Sequence, residues 1–167
     1  LVRDETPHEL TTLIDLDVAG ANRELRLADG VLEGFVPLAL ESALPARVAD
    51  DGSLVVQVRP GHFTLRLLTR SRATLMQIGR PASADDGALR DVDEVWAFEA
   101  RPALRVVDVQ GGASVDPAQT TLPREWHEFP AFVLTSGQSL RWIEKRRGDA
   151  DPAPDALSLT RTLWLDF

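Results

Sequence analysis

Apolar and polar residues alternate with a period of two through much of this chain, the spacing that sends every second side chain to one face of a strand. In the stretch Ser53 to Arg70, SLVVQVRPGHFTLRLLTR, residues Leu54, Val56 and Val58 alternate with Val55, Gln57 and Arg59. After Pro60-Gly61, residues Phe63, Leu65 and Leu67 alternate with Thr64, Arg66 and Leu68. Two half-buried strands meeting at a sharp corner are predicted. Pro sets φ and Gly accepts positive φ as a type II turn requires, whereas tight two-residue hairpins take primed turns that match strand twist. The expected connection is therefore bulged or widened, or an arch between two sheets.

The same period recurs on both sides. Leu10 to Val18 and Glu24 to Ala28 read as strands separated by the turn residues Ala19-Gly20-Ala21-Asn22. Val31 to Ala43 reads either as a strand interrupted by Gly34 and Pro37 or as one ending in a helical turn through Leu38 to Ala43, since Pro37 would break a longer helix. Further strands are expected at Ala73 to Ile78, Glu94 to Ala100, Leu104 to Gln110, Phe132 to Leu134 and Ser139 to Glu144, with a terminal one over Leu157 to Phe167. About ten strands with little helical periodicity predict an all-β chain, an antiparallel β-sandwich of jelly-roll or transthyretin-like type. Arg80 to Asp91 is small, polar and turn-rich, a loop or an internal boundary. One sandwich over residues 1–167 is the expected organisation, with two small sandwiches at 1–80 and 92–167 as the alternative.

Asp51-Gly52, an alternating strand, Pro60-Gly61, then an aromatic-Thr-Leu run resemble a signature of the transthyretin-like, carboxypeptidase-regulatory-like and PEGA-type β-sandwich modules of bacterial exported proteins. The resemblance covers residues 51–69. It departs from the pattern afterwards, where Ser71-Arg72-Ala73 stands in place of Gly-Tyr and the chain contains no Tyr. It implies a scaffold or adhesive role and carries over no catalytic residue.

Charge narrows the partners. A net charge of −8 disfavours nonspecific binding to nucleic acid or an anionic membrane, both of which need a basic face. Among 18 basic residues only Lys145 is a lysine, a skew that points to a GC-rich bacterial genome. The absence of cysteine removes disulfides and thiol chemistry, while leaving a periplasmic or extracellular location open. Apolar runs such as Val36 to Leu40 are too short to span a bilayer. The chain reads as part of a longer polypeptide.

Candidate chemistry is sparse. No nucleophile elbow, phosphate loop or zinc-protease motif occurs, so no catalytic residue, metal site or cofactor is expected. His8, His62 and His127 lack paired ligand spacing and read as surface or turn residues. Trp96, Trp142 and Trp164 fall in expected strands and read as core. Trp126 falls instead in the long connection from Gly111 to Pro130, and connections of that length either bind something or cover part of a sheet. With Arg124, Glu125 and Glu128 it makes the best candidate ligand site: an indole that could stack on a sugar ring, or else a plug anchoring a solvated loop. Arg147-Gly148-Asp149 spells an adhesion tripeptide but reads as a charged turn. Asp149, Asp151 and Asp155 read as solvated, and Lys145-Arg146-Arg147 as an edge-strand guard against aggregation. The expectation is a noncatalytic structural or protein-interaction module of a larger bacterial envelope or secreted protein. Its partners would be other domains of that protein or an envelope protein. A carbohydrate-binding module with glycan as the partner is the alternative.

Overall fold

The period-two runs become strands almost where the pattern places them. In a computed structural model that describes residues 1–82, 94–148, 158–162 and 164, the strands are β1 (Val2–Arg3), β2 (Glu9–Val18), β3 (Arg23–Leu27), β4 (Phe35–Ser42), β5 (Ala46–Val48), β6 (Leu54–Val58), β7 (Gly61–Ser71), β8 (Gln77–Gly79), β9 (Glu94–Glu99), β10 (Arg105–Gln110), β11 (Ala113–Val115), β12 (Ala131–Leu134) and β13 (Ser139–Arg147). They form a seven-stranded sheet in the order β11-β12-β9-β1-β2-β7-β4 and two three-stranded sheets, β3-β6-β5 and β10-β13-β8. Every pairing is antiparallel except that of β1 with β9. The chain is an all-β sandwich. Strands from both sides of residues 83–93 share the large sheet.

Two cores form, and β2 shows how they are related. Leu10 enters a core with Val2, Phe35, Trp96, Phe98 and Leu134, facing Ile78, Leu140 and Trp142 of the β10-β13-β8 sheet. Val18 and Leu65, with Ile14, Leu16 and Phe63 beside them, enter a second core facing Leu27, Leu54, Val56 and Val58 of the β3-β6-β5 sheet. Leu10, Ile14, Leu16 and Val18 are separated by even numbers, so they share one face of β2. Both small sheets therefore cover the same face of the large one, side by side. Full burial of each Leu or Val contributes about 1.5–3 kcal/mol, which makes the strand phase expensive to slip by one residue.

The Pro60-Gly61 corner is an arch. β6 pairs with β3 and β5 in a small sheet, whereas β7 pairs with β2 and β4 in the large one, so the chain crosses between layers at the corner. The helical turn considered for Leu38 to Ala43 does not form. β4 runs through Pro37, and the register shifts between Pro37 and Ala39, leaving Leu38 as a bulge that is 47% exposed. β4 lies at the end of the large sheet, where a residue without an N–H is tolerated.

Three expectations are corrected. The strand expected at Ala73 to Ile78 is confined to Gln77–Gly79. Of the expected terminal strand, residues 158–162 and 164 are described and belong to no strand, and Trp164 is 92% exposed instead of buried. Lys145-Arg146-Arg147 lies in β13, the middle strand of its sheet. Beyond Arg141, where pairing with β8 ends, β13 pairs only with β10, so the basic run occupies a half-open flank.

Gly111 closes the connection from β10 to β11 at φ 100°, and a Cβ built there would lie 2.2 Å from the Ser139 carbonyl oxygen. Backbone strain and overlap with rigid main chain act together. Gly111→Ala is expected to lower unfolding free energy by about 2 kcal/mol in urea melts, whereas Gly20→Ala, with open space around its Cβ position, is expected to cost less.

Candidate functional site

The long connection from β11 to β12 is ordered by local polar contacts. The Asp116 carboxylate accepts a hydrogen bond from the Ala118 N–H at 3.0 Å and starts a 3-10 turn, Pro117–Gln119. A second turn, Arg124–Trp126, begins after Pro123, and its last residue donates N–H to the Pro123 carbonyl at 2.8 Å. Both turns follow from Pro residues that preset φ at their starts.

This segment covers the large sheet on the face opposite the two small sheets. Trp126 is 7% exposed and packs with Leu1 and Ala97, with Leu13, Leu122 and Phe129 around them. Of the two readings of Trp126, its burial favours the plug: the ring covers the back of β2, β1 and β9, which would otherwise expose apolar surface to water. Arg124, Glu125 and Glu128 project outward and are exposed. The structure thus separates the indole from the charged groups expected to work beside it. His127 is held at 2.9 Å from the Leu122 carbonyl through Nε2 and belongs to the same clamp.

The charged constellation that the fold does assemble lies elsewhere. Asp4, His8 and Arg105 are all buried, His8 completely, which corrects the expectation of a surface histidine. Arg105 Nε lies 2.9 and 3.1 Å from the two Asp4 carboxylate oxygens. His8 Nε2 lies 3.2 Å from Asp4 and 2.7 Å from Arg105 Nη2, while its Nδ1 faces the Leu75 N–H at 3.4 Å. Trp142 closes the cluster, stacked on His8 at a centroid separation of 5.0 Å and 1% exposed. Burial pushes the Asp4 carboxyl up, but the hydrogen bonds from His8 and Arg105 and their charges outweigh it and hold the group below the usual carboxylate range.

A sequence signal for this cluster existed. Arg105 is in phase with Val107 and Val109, which pack against the first core, so period-two reading assigns its side chain inward. Its partner Asp4 lies 101 residues away, and no local pattern announces that pair.

Outside the cores, Arg101 bridges Glu5 and Glu99, Arg3 bridges Glu99 and Glu9, and Glu9 also meets Arg70. This alternating ladder crosses β9, β1, β2 and β7 on the outer face. These half-buried pairs at the sheet surface remain open to solvent screening, contribute about 1 kcal/mol or less each and satisfy charges more than they stabilise.

Two hollows open on the small β3-β6-β5 sheet. One is lined by Arg26, Arg47, Val48, Ala49, Asp50 and Asp51. Its charges are internally matched, since Arg26 pairs with Asp51, whose carboxyl is lowered to about 2 by hydrogen bonds from Ser53 and then by Arg26. The other, about 440 Å³, has Asn22, Arg23, Gln57 and Arg59 around an apolar floor of Leu44, Pro45 and Val58.

His8, His62 and His127 do not converge, and no group of three potential metal ligands occurs among the described residues. Asp149, Asp151 and Asp155, and with Asp149 the adhesion tripeptide, lie outside the described residues. Among the described residues no helix is long and apolar enough to cross a membrane. Neither a family model, nor a curated protein, nor a solved structure matches this chain.

Proposed function

We propose that this chain is a noncatalytic β-sandwich module, a structural or protein-contact part of a larger bacterial envelope or secreted protein acting in the periplasm or outside the cell. One observation carries the reading. The strongest acid, base and cation grouping, Asp4 with His8 and Arg105, is sealed under Trp142 with its groups spent on one another. The buried trio fastens the N-terminal segment to β10 through the Asp4–Arg105 hydrogen bonds, with Arg105 Nη1 left without a hydrogen-bond partner among the described residues, and offers no face to a substrate. The sheet ends suit contact with neighbours, since β4 carries exposed Leu38 beside Pro37 at the margin of the large sheet. The resemblance at residues 51–69 to bacterial exported modules points the same way.

Photo-crosslinking from Leu38 in the native host is expected to trap a protein, either another domain of the same polypeptide or an envelope component. Hydrolytic turnover by the purified chain that a single carboxylate substitution abolishes would overturn the proposal.

A further inference from the structure

The hollow at Arg23 and Arg59 differs from its neighbour in one respect that bears on binding. Arg23 Nη1 donates to the Ala19 and Ala21 carbonyls at 3.0 and 3.3 Å, which fixes its guanidinium at the β2–β3 connection without neutralising it. The Arg59 guanidinium lies 5.5 Å from the Phe63 ring centroid, a cation–π contact that likewise orients the group and leaves its charge in place. Among the described residues neither arginine has a carboxylate within ion-pair distance, although the chain carries 26 Asp and Glu residues. The Glu24 carboxylate nearby is taken by the Gln57 amide at 2.7 Å. Below the two cations, Leu44 is 4% and Val58 2% exposed, and Pro45 forms the rim. Two oriented, uncompensated guanidiniums over a small apolar floor make a receptor for a carboxylate carried next to an aliphatic or aromatic group.

We propose that this hollow binds an acidic polypeptide segment, with an Asp, Glu or C-terminal carboxylate held between Arg23 and Arg59 and an adjoining apolar side chain laid against Ala43 and Pro45, the exposed apolar residues of the lining. The inference rests on the protein-contact reading above and gives its partner a chemistry. A segment bearing one or two carboxylates fits better than a nucleic-acid phosphate track, because the overall charge of −8 repels a ligand with a charge at every unit far more than one whose few charges reach only this spot. The floor also gains nothing from a bare ion.

The test is an amide NMR titration of the full chain with a short peptide of the form Glu-Leu-Glu-Leu, with a Gln-Leu-Gln-Leu peptide and with inorganic phosphate. The acidic peptide is expected to shift the Asn22, Arg23, Leu44, Gln57 and Arg59 signals. The amide-only peptide should leave them in place, and Arg23→Gln combined with Arg59→Gln should weaken binding about tenfold or more. Both side chains are exposed, so an unchanged amide spectrum outside the hollow verifies that the double variant folds. Equal shifts from phosphate and peptide would mean an adventitious ion only and overturn the proposal, as would unaltered peptide binding by the double variant. A Leu38 crosslink to a protein that persists in the double variant would leave the module reading standing while this inference fails. Absence of any Leu38 crosslink in the parent chain would sink the reading itself.

Discussion

Arg105→Ala is expected to destabilise the chain by about 3–5 kcal/mol, because it strips the guanidinium from Asp4 and His8 while leaving both buried. Urea denaturation followed by tryptophan fluorescence measures it, since Trp142 stacks on the affected ring. The cost belongs to the orphaned charge more than to the pair. Replacing both partners with apolar residues of similar volume, Asp4→Leu with Arg105→Met, should therefore recover most of the loss. A double variant as unstable as Arg105→Ala would show that the cluster contributes through geometry specific to these groups.

The same cluster sets an acid limit. The Asp4 carboxyl is held below its ordinary range when folded, so the unfolded chain binds the proton more readily. Its contribution is fully present above the unfolded value of about 4 and is lost as pH falls through the lower folded value. Asp4→Asn should remove that part of the acid slope while lowering stability at neutral pH.

Trp126→Ala is expected to cost about 3–5 kcal/mol and to loosen the whole segment from Asp116 to Pro130. The indole is the largest group joining that segment to Leu1 and Ala97, and its removal leaves a cavity that the short 3-10 turns of the segment cannot fill. Amide exchange at Leu122, His127 and Phe129 should accelerate, and limited proteolysis should begin in this segment. Glu125→Gln and Glu128→Gln, on exposed side chains, should change stability by no more than about 0.5 kcal/mol. Were Trp126→Ala to melt like the parent protein while losing affinity for a glycan, the burial of the ring would have been misjudged.

Much of the layer structure was legible because strand phase is local. The alternation over Leu10 to Val18 and over Phe63 to Leu68 predicts both strands, and turn handedness at the Pro60-Gly61 corner disfavours a tight hairpin, leaving a bulged or widened connection or the arch that forms. Short or irregular strands were harder. β11 occupies only Ala113–Val115 inside what reads as a loop, and its existence depends on pairing with β12. Trp126 shows the same limit from the other side. An indole between Glu125 and His127 carries no local sign of whether water or another sheet will cover it.

Period-two patterning, turn residues and composition by themselves determined that the chain is all β, where most strands run, and which side chains point inward, since each of these depends on neighbours within a few residues. Only the tertiary structure decided that both small sheets lie on one face of the large sheet, that the 116–130 segment covers the other, and that Asp4 and His8 meet Arg105 across about a hundred residues. Those outcomes follow from burying apolar faces and pairing desolvated charges between segments remote in sequence, a balance that no short stretch of chain contains.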